Sequence, residues 1–247
     1  MKTAERHHLK TNEFAERVAG ATQFWATHRS TVTAVAVIAL VAIVSAGAFA
    51  AYRQQRSSKA GAALSDAEAI ATSPVAPPAT PGAGTPPAGT YATAEARDQA
   101  AAEKFLAVAS TYGSTREGLS ARYRAATLLA QLGRRADAER EFKAVADQDG
   151  GLYGRMARLA LAELQVQGGQ YDAAIQTFRE VLARTDSDLP ADGLLMQLGR
   201  TYLLAGKTTE ALQAFTRVVD EHPQSLYAAE ARREADALKA AVAGKSS

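Results

Sequence analysis

The sequence predicts an all-α protein, a solenoid of helical hairpins preceded by one transmembrane helix and a proline-rich linker. Three observations predict this class. A four-residue pattern recurs three times, one stretch of 21 residues carries no charge, and six of the eight prolines fall between residues 73 and 90. Hydrophobic residues make up 47% of the chain, many of them alanines. Alanine favours close-packed helices over strands.

The charge distribution and the absence of cysteine exclude several classes of function. Residues 1–60 hold eight Lys and Arg against three Asp and Glu, whereas residues 61–247 hold twenty against twenty-three. A nucleic-acid-binding domain needs a basic surface on its folded part, so we expect no nucleic-acid partner. The chain has no cysteine, which excludes disulfides, thiol catalysis and cysteine-ligated metal.

Residues 1–30 are predicted to form an amphipathic tail. One helix face is marked by Phe14, Val18, Ala21 and Trp25. This pattern fits a helix that lies on a surface or docks on a partner, and it fits equally well a polar lead-in to the membrane. The tail also holds three histidines, His7, His8 and His28. No further ligand is evident nearby, so we expect no metal site there.

Residues 31–52 are predicted to form a transmembrane helix. The 21 uncharged residues from Thr31 to Ala51 would span roughly 30 Å as a helix, the hydrocarbon thickness of a bilayer. The sequence Ala48-Phe49-Ala50 also fits a signal-peptidase site. The long preceding tail with its three glutamates favours an uncleaved anchor. The alternative is cleavage after Ala50.

The charges flanking this segment leave its orientation open. Three Lys or Arg residues lie within about 20 residues of each end of the span, so the positive charges on its two sides are equal in number. Lys2 and Arg6, further out, tip the count towards a cytoplasmic N-terminus.

Two segments follow the predicted span. Residues 53–72 are predicted to be a juxtamembrane helix or linker, and residues 73–92 a spacer rich in Pro, Ala and Gly. Proline fixes φ and lacks a backbone donor, so the spacer cannot form a helix or a central strand. We expect it to be semi-rigid and to hold the following domain away from the bilayer.

Residues 93–245 are predicted to form the repeat domain. A lead helix over 95–112 and a capping helix over 225–242 enclose three hairpins, 117–132/135–148, 152–167/171–184 and 191–205/208–221. The repeated pattern is Gly133, Ala138, Phe142 and Val145, then Gly169, Ala174, Phe178 and Val181, then Gly206, Ala211, Phe215 and Val218. Equivalent residues are 36 and then 37 positions apart, a period typical of stacked helical hairpins.

The repeated residues are predicted to be packing residues. Each glycine ends the first helix of a hairpin with a positive φ. Each alanine lies where the paired helices cross, and each phenylalanine fills the space towards the next hairpin. Pro223 ends the last hairpin because it cannot continue a helix. In the second copy, we expect one extra residue at Gly168-Gly169, which shifts the register of the first helix by one. With that shift, Arg158 and Gln165 no longer face inward. The residues that face inward instead are Ala157, Ala160, Leu161 and Leu164.

The third copy resembles the tetratricopeptide repeat family. The family's signature positions are occupied by Leu198, Gly199, Tyr202, Gly206, Ala211, Phe215 and Pro223. The first copy departs from the signature at Ala125-Ala126 and Leu129. The whole layout is similar to bacterial single-span inner-membrane tetratricopeptide proteins of the ancillary Sec translocon subunit and cell division coordinator type, and residues 9–15 are similar to the tail of some of them. This resemblance implies a cytoplasmic N-terminus and a periplasmic repeat domain.

The sequence shows no catalytic, cofactor-binding or metal-binding constellation. His222 is the one histidine beyond the span, and a Ser-His-Asp arrangement would have to be built around it. Asp186, Asp188 and Asp192 have calcium-loop spacing but lack the glycine and the closing glutamate of an EF-hand. We instead expect Asp188 or Asp192 to cap or adjoin the helix after Pro190. We therefore predict a non-enzyme without cofactor or small-molecule substrate.

The candidate functional surface is the concave face lined by the first helix of each hairpin. The residues predicted to point into it are Tyr123, Thr127, Arg155, Arg158, Met196 and Arg200. Tyr, Met and Arg are enriched in protein interfaces, and three arginines can receive an acidic segment or a C-terminal carboxylate. Alternatively, these arginines pair with neighbouring Glu and Asp as ordinary surface charge.

These observations together predict a membrane-anchored, non-enzymatic scaffold whose extracytoplasmic repeats bind protein partners, at the translocon or in envelope assembly. The alternative is a soluble periplasmic chaperone or accessory protein released by cleavage.

Overall fold

The chain forms an all-α structure, as the sequence predicts. A computed structural model describes residues 29–76, 89–148, 151–183 and 189–245. In these ranges it has nine helices: α1 Arg29–Ala71, α2 Ala94–Tyr112, α3 Arg116–Gln131, α4 Arg135–Gln148, α5 Leu152–Gln167, α6 Tyr171–Leu182, α7 Ala191–Leu204, α8 Thr208–Glu221 and α9 Ala228–Lys245. The predicted amphipathic tail lies outside the described residues except for its last two.

The chain divides into two compact units, with the boundary between Arg56 and Ser57. The described part of the first unit is the beginning of α1, whose large apolar side chains are exposed; Ile38 and Ile43, for example, are each 69% exposed. By length and composition α1 is able to cross a membrane, a property that a signal sequence near an N-terminus shares.

The end of α1 belongs to the second unit and packs in its core. Ala60 and Ala67 are fully buried, and Ala67 lies in one apolar cluster with Phe105 of α2. The Ser57 hydroxyl donates a hydrogen bond to the Glu117 carboxylate at 2.8 Å. Packing of the helical domain therefore begins at Ser57 rather than at residue 93.

The two ends of the proline-rich segment lie side by side. The N–H of Ala76 donates to the carbonyl of Tyr91 at 2.8 Å, and the N–H of Tyr91 donates to the carbonyl of Pro74 at 2.9 Å. Val75 and Tyr91 form an isolated parallel bridge. Both flanks therefore belong to the second unit, together with the end of α1 and with α2. The spacer over residues 73–92 stays a prediction, because most of it lies outside the described residues.

Each hairpin turns at a glycine in the left-handed region. Gly133, Gly169 and Gly206 have φ of 73°, 72° and 73°, which glycine adopts without steric cost. The residue after each glycine donates its N–H to a carbonyl five positions back at 2.8 Å in all three turns, in the pairs Arg134–Leu129, Gln170–Gln165 and Lys207–Tyr202. These are Schellman motifs, which satisfy the last carbonyls of the first helix.

The identical turns also fix the register of the copies. Leu129 and Gln165 are equivalent, as are the fully buried Ala126 and Ala162, and both pairs are 36 positions apart like the turn glycines. The turn at Gly168-Gly169 therefore contains no extra residue. The four residues expected to face inward nevertheless do so: Ala157 and Leu164 are buried, and Ala160 and Leu161 pack against the same cluster. The added residue of the third copy lies in the longer connection between α6 and α7 instead.

The repeated residues of α4, α6 and α8 form the core. Ala138, Ala174 and Ala211 are fully buried, and the repeated phenylalanines and valines are at most 3% exposed. Pro223 follows the end of α8, and α9 begins at Ala228 rather than at residue 225 because Ser225 makes hydrogen bonds in the turn. Ala231 and Ala235 of α9 pack against Phe215 and close this end of the core.

Candidate partner-binding groove

The first helices of the hairpins line a groove that contains two apolar clefts. The N-terminal cleft has a volume of about 400 Å³ and lies mainly between α3 and α5. Its walls include Phe105, Tyr123, Thr127, Leu128, Tyr153 and Met156. Side chains in these positions are supported from beneath by the buried core of α3 and α4.

Aromatic rings form the floor of the N-terminal cleft. The Tyr123 ring meets the Phe142 ring edge-on, with centroids 5.6 Å apart, and lies 6.3 Å from the Tyr153 ring. The Thr127 hydroxyl donates to the Tyr123 carbonyl at 3.0 Å. Burial raises the pKa of the Tyr123 phenol, and the negative charge of Glu163 raises it further. Both effects disfavour the ionised phenolate, so the Tyr123 side chain presents a neutral hydroxyl.

The C-terminal cleft has a volume of about 370 Å³ and involves α5, α7 and the turn before α9. Its walls include Leu159, Glu163, Pro190, Gln197, Leu226 and Tyr227. Leu226 is 98% exposed, which is unusual for a large apolar side chain at the rim of an apolar cleft. Burial against these walls raises the pKa of the Glu163 carboxyl.

The structure brings two of the six predicted groove residues together in one cleft. Tyr123 and Thr127 both line the N-terminal cleft. Arg155 is half-buried and is not among the lining residues of either cleft. Arg158 points to α4, where its guanidinium donates to the carbonyl of Ala146.

The third copy also departs from the prediction. Met196 is only 1% exposed because α9 covers it; both belong to the same apolar cluster. The Arg200 guanidinium pairs with the Glu230 carboxylate of α9 at 2.5 Å. The predicted placement of Met196 on the groove surface is therefore corrected, and the arginines do not converge on one site. Arg200 forms an ordinary surface ion pair, which is the alternative given above for the groove arginines.

The error of register explains the residues that sequence reasoning missed. With the observed offset, Ser120 corresponds to Met156 and Thr127 to Glu163, so the groove positions of α5 lie one residue beyond those predicted. The spacing of Tyr153, Met156 and Glu163, by three and then seven residues, places them on one helix face and was the available signal. Leu226 and Tyr227 line the C-terminal cleft because of the path that the turn before α9 takes. That path has no periodic sequence pattern from which it could be predicted.

The region around His222 does not form a catalytic triad. The Ser225 hydroxyl donates directly to the Asp192 carboxylate at 2.6 Å rather than to a histidine, and this bond lowers the pKa of Asp192. Asp192 lies in the first turn of α7, next to the helix start as expected. Among the described residues, no group of three His, Cys, Asp or Glu side chains could hold a metal ion; Asp186, Asp188 and the tail histidines lie outside them.

Comparison with known proteins identifies the family. The model of the tetratricopeptide repeat-like domain matches residues 22–240. The chain belongs to this family. Tetratricopeptide repeats are interaction modules that present an extended surface to another protein, so this chain carries a scaffold for protein–protein interaction. No curated protein matches the chain.

Several solved structures are similar to this tetratricopeptide domain. The TPR-like repeats of a Podosopora anserina kinesin light chain are 17% identical with a TM-score of 0.49, covering 61% of this chain and 81% of that one. The Yersinia enterocolitica type III secretion chaperone SycD, solved with a peptide of the translocator YopD, is 19% identical with a TM-score of 0.43, covering 51% and 95%. MamA of Desulfovibrio magneticus RS-1 is 16% identical with a TM-score of 0.44, covering 61% and 89%.

Proposed function

We propose that this protein is a membrane-anchored, non-enzymatic scaffold whose tetratricopeptide domain binds a protein partner in the groove between α3, α5 and α7. The observation that carries the proposal is the pair of apolar clefts along that groove. Tyr123, Tyr153 and Met156 line one of them and Leu159 and Tyr227 the other. Aromatic and Met side chains in partly open clefts are the groups that most often anchor a partner.

The beginning of α1 supports the anchoring part of the proposal. Its exposed apolar stretch is long enough to cross a bilayer, and such a surface is unfavourable in water. The resemblance to single-span inner-membrane proteins supports a cytoplasmic N-terminus, a periplasmic groove, and a partner at the translocon or in envelope assembly. Cleavage after Ala50, which would release a soluble periplasmic chaperone, is the competing outcome.

Partner capture with a groove variant tests the proposal. Met156→Glu places a charge in the N-terminal cleft, whereas Leu152→Glu adds the same charge at a half-exposed position of the same helix outside both clefts. Crosslinking in intact cells, followed by capture from detergent-solubilised membranes, is expected to yield a partner that Met156→Glu loses and Leu152→Glu retains. Equal recovery by both variants, or no enrichment over a chain without the repeats, would contradict a binding groove.

A further inference from the structure

The arginines along the groove are already neutralised within the protein. Arg124 pairs with Glu68 at 3.1 Å and lies 5.9 Å from the centre of the Phe105 ring. Arg200 pairs with Glu230 at 2.5 Å. An acidic ligand would have to compete with these carboxylates, so the groove offers little to an anionic partner.

Glu163 differs from these charged residues. Among the described residues it makes no ion pair and no hydrogen bond. Its neighbours in the C-terminal cleft include the apolar side chains of Leu159, Leu194 and Leu226. Glu163 is an exposed residue, but the apolar walls beside it reduce the hydration of its carboxylate without supplying a compensating partner, which raises its pKa. A cation beside it would restore the lost interaction.

The position of Glu163 relates it to both clefts. It lines the C-terminal cleft and lies on α5 seven residues, about two helical turns, after Met156, which lines the N-terminal cleft. Apolar walls therefore lie on both sides of one unpaired carboxylate. In the C-terminal cleft, the Gln197 side chain supplies an amide that is able to hydrogen-bond the backbone of an occupant.

We propose that the groove binds a peptide segment in which a single Lys or Arg is flanked by apolar residues, with the basic side chain facing Glu163 and the apolar residues filling the two clefts. The inference rests on the proposed function, because it names the chemistry of the partner that the groove receives. Charge complementarity across such an interface contributes mainly to specificity. An acidic residue at the same position would face both Glu163 and the nearby Asp192.

A peptide library tests this inference on the full chain in detergent. The probe is an array of 12-residue peptides in which one central position varies over all amino acids between Leu, Ala and Phe neighbours. The best-binding peptide is then titrated by fluorescence anisotropy. We expect Lys or Arg at the centre to be selected, Glu163→Gln to weaken that peptide about tenfold, and Glu163→Lys to shift the preference to Asp or Glu. Glu210→Gln, at an exposed position in the first turn of α8, is expected to change nothing.

The outcomes separate this inference from the proposed function. Binding of apolar peptides that ignores the central residue, and that Glu163→Gln leaves unchanged, would overturn the basic partner while the groove remained a binding site. Absence of binding by any peptide, or binding insensitive to Met156→Glu, would overturn both. A dimer of the chain that Met156→Glu disperses would assign the groove to a second copy and would overturn the inference as well.

Discussion

At the scale of single residues, Gly199 determines how closely α7 and α8 can approach. A Cβ atom on Gly199 would lie 2.6 Å from Cε1 of the Phe215 ring, closer than real side chains come. Phe215 is fully buried, so its ring can move aside only if its neighbours move as well. The equivalent positions of the earlier copies hold Ala126 and Ala162, also fully buried, so the third hairpin is packed more tightly than the other two.

Replacement of Gly199 by alanine is therefore expected to destabilise the domain. Overpacking against Phe215 costs about 1–3 kcal/mol, which the better helix propensity of alanine offsets by at most about 1 kcal/mol. Gly193→Ala, on the same helix as Gly199, is the matched control, because its Cβ would lie an ordinary 3.6 Å from Cε2 of Tyr227 in the turn before α9. Urea unfolding in detergent is expected to give a lower midpoint for Gly199→Ala than for Gly193→Ala. Equal urea midpoints for the two variants would contradict this prediction and show that the Phe215 ring moves to accommodate the added methyl group.

At the scale of elements, the 43 residues of α1 divide into an exposed first part and a packed second part. Up to Arg56 its large apolar side chains are exposed, whereas from Ser57 onwards small residues such as Ala60 and Ala67 are fully buried. Small side chains let a helix approach its neighbours closely. The end of α1 therefore acts as a first packed helix of the solenoid, ahead of the three hairpins that share the sequence pattern.

A buried charge on α1 tests this packing. Ala67→Asp would place an unpaired carboxylate in the cluster that contains Phe105, and we expect the free energy of unfolding to fall by about 2 kcal/mol or more. Ala62→Asp, on the exposed side of the same helix, carries the same charge and the same loss of helix propensity. Chemical denaturation of both variants compares them directly. If residues 57–71 were a loose linker, the two variants would unfold alike.

At the scale of the whole molecule, the distribution of apolar surface differs between the two units. The second unit buries most of its large apolar side chains in four clusters, with Leu226 among the exceptions, whereas the beginning of α1 exposes its own. A groove carried by an anchored chain would meet partners at the membrane surface. The proposed location at the membrane therefore requires that the apolar part of α1 is inserted in the bilayer and is not cleaved off.

Arginine substitution in α1 tests membrane insertion. Ile38→Arg combined with Val41→Arg is expected to disfavour insertion by about 6 kcal/mol, roughly 3 kcal/mol for each arginine. The variant should then be released from membranes by alkaline carbonate, whereas the parent chain should resist extraction. Ser65→Arg, an exposed position of α1 in the second unit, should behave like the parent. A native N-terminus at Ala51, found by sequencing, would instead support cleavage and a soluble protein.

The candidate groove shows where sequence reasoning loses accuracy. Tyr123 and Thr127 line the N-terminal cleft, and the first copy needs no assumption about register. The sequence favours Arg155 and Arg158 over Met156 and Glu163 because Gln165 occupies the position of Leu129 and Tyr202, which suggests a shift. In the structure the Thr177 hydroxyl donates to Gln165 at 3.0 Å, so a polar residue occupies this packing position without moving the helix.

The hairpins of this protein follow from its sequence, because a hairpin is a local structure. A glycine with positive φ and apolar residues at helical spacing specify each turn and each buried face within about 36 residues. Only the folded protein shows the docking of the end of α1, the bridge between Val75 and Tyr91, the burial of Met196 by α9, and the lack of a partner for Glu163 among the described residues. Each of these depends on which distant helix covers a given face, and helices far apart in the chain leave no shared pattern that records their contact.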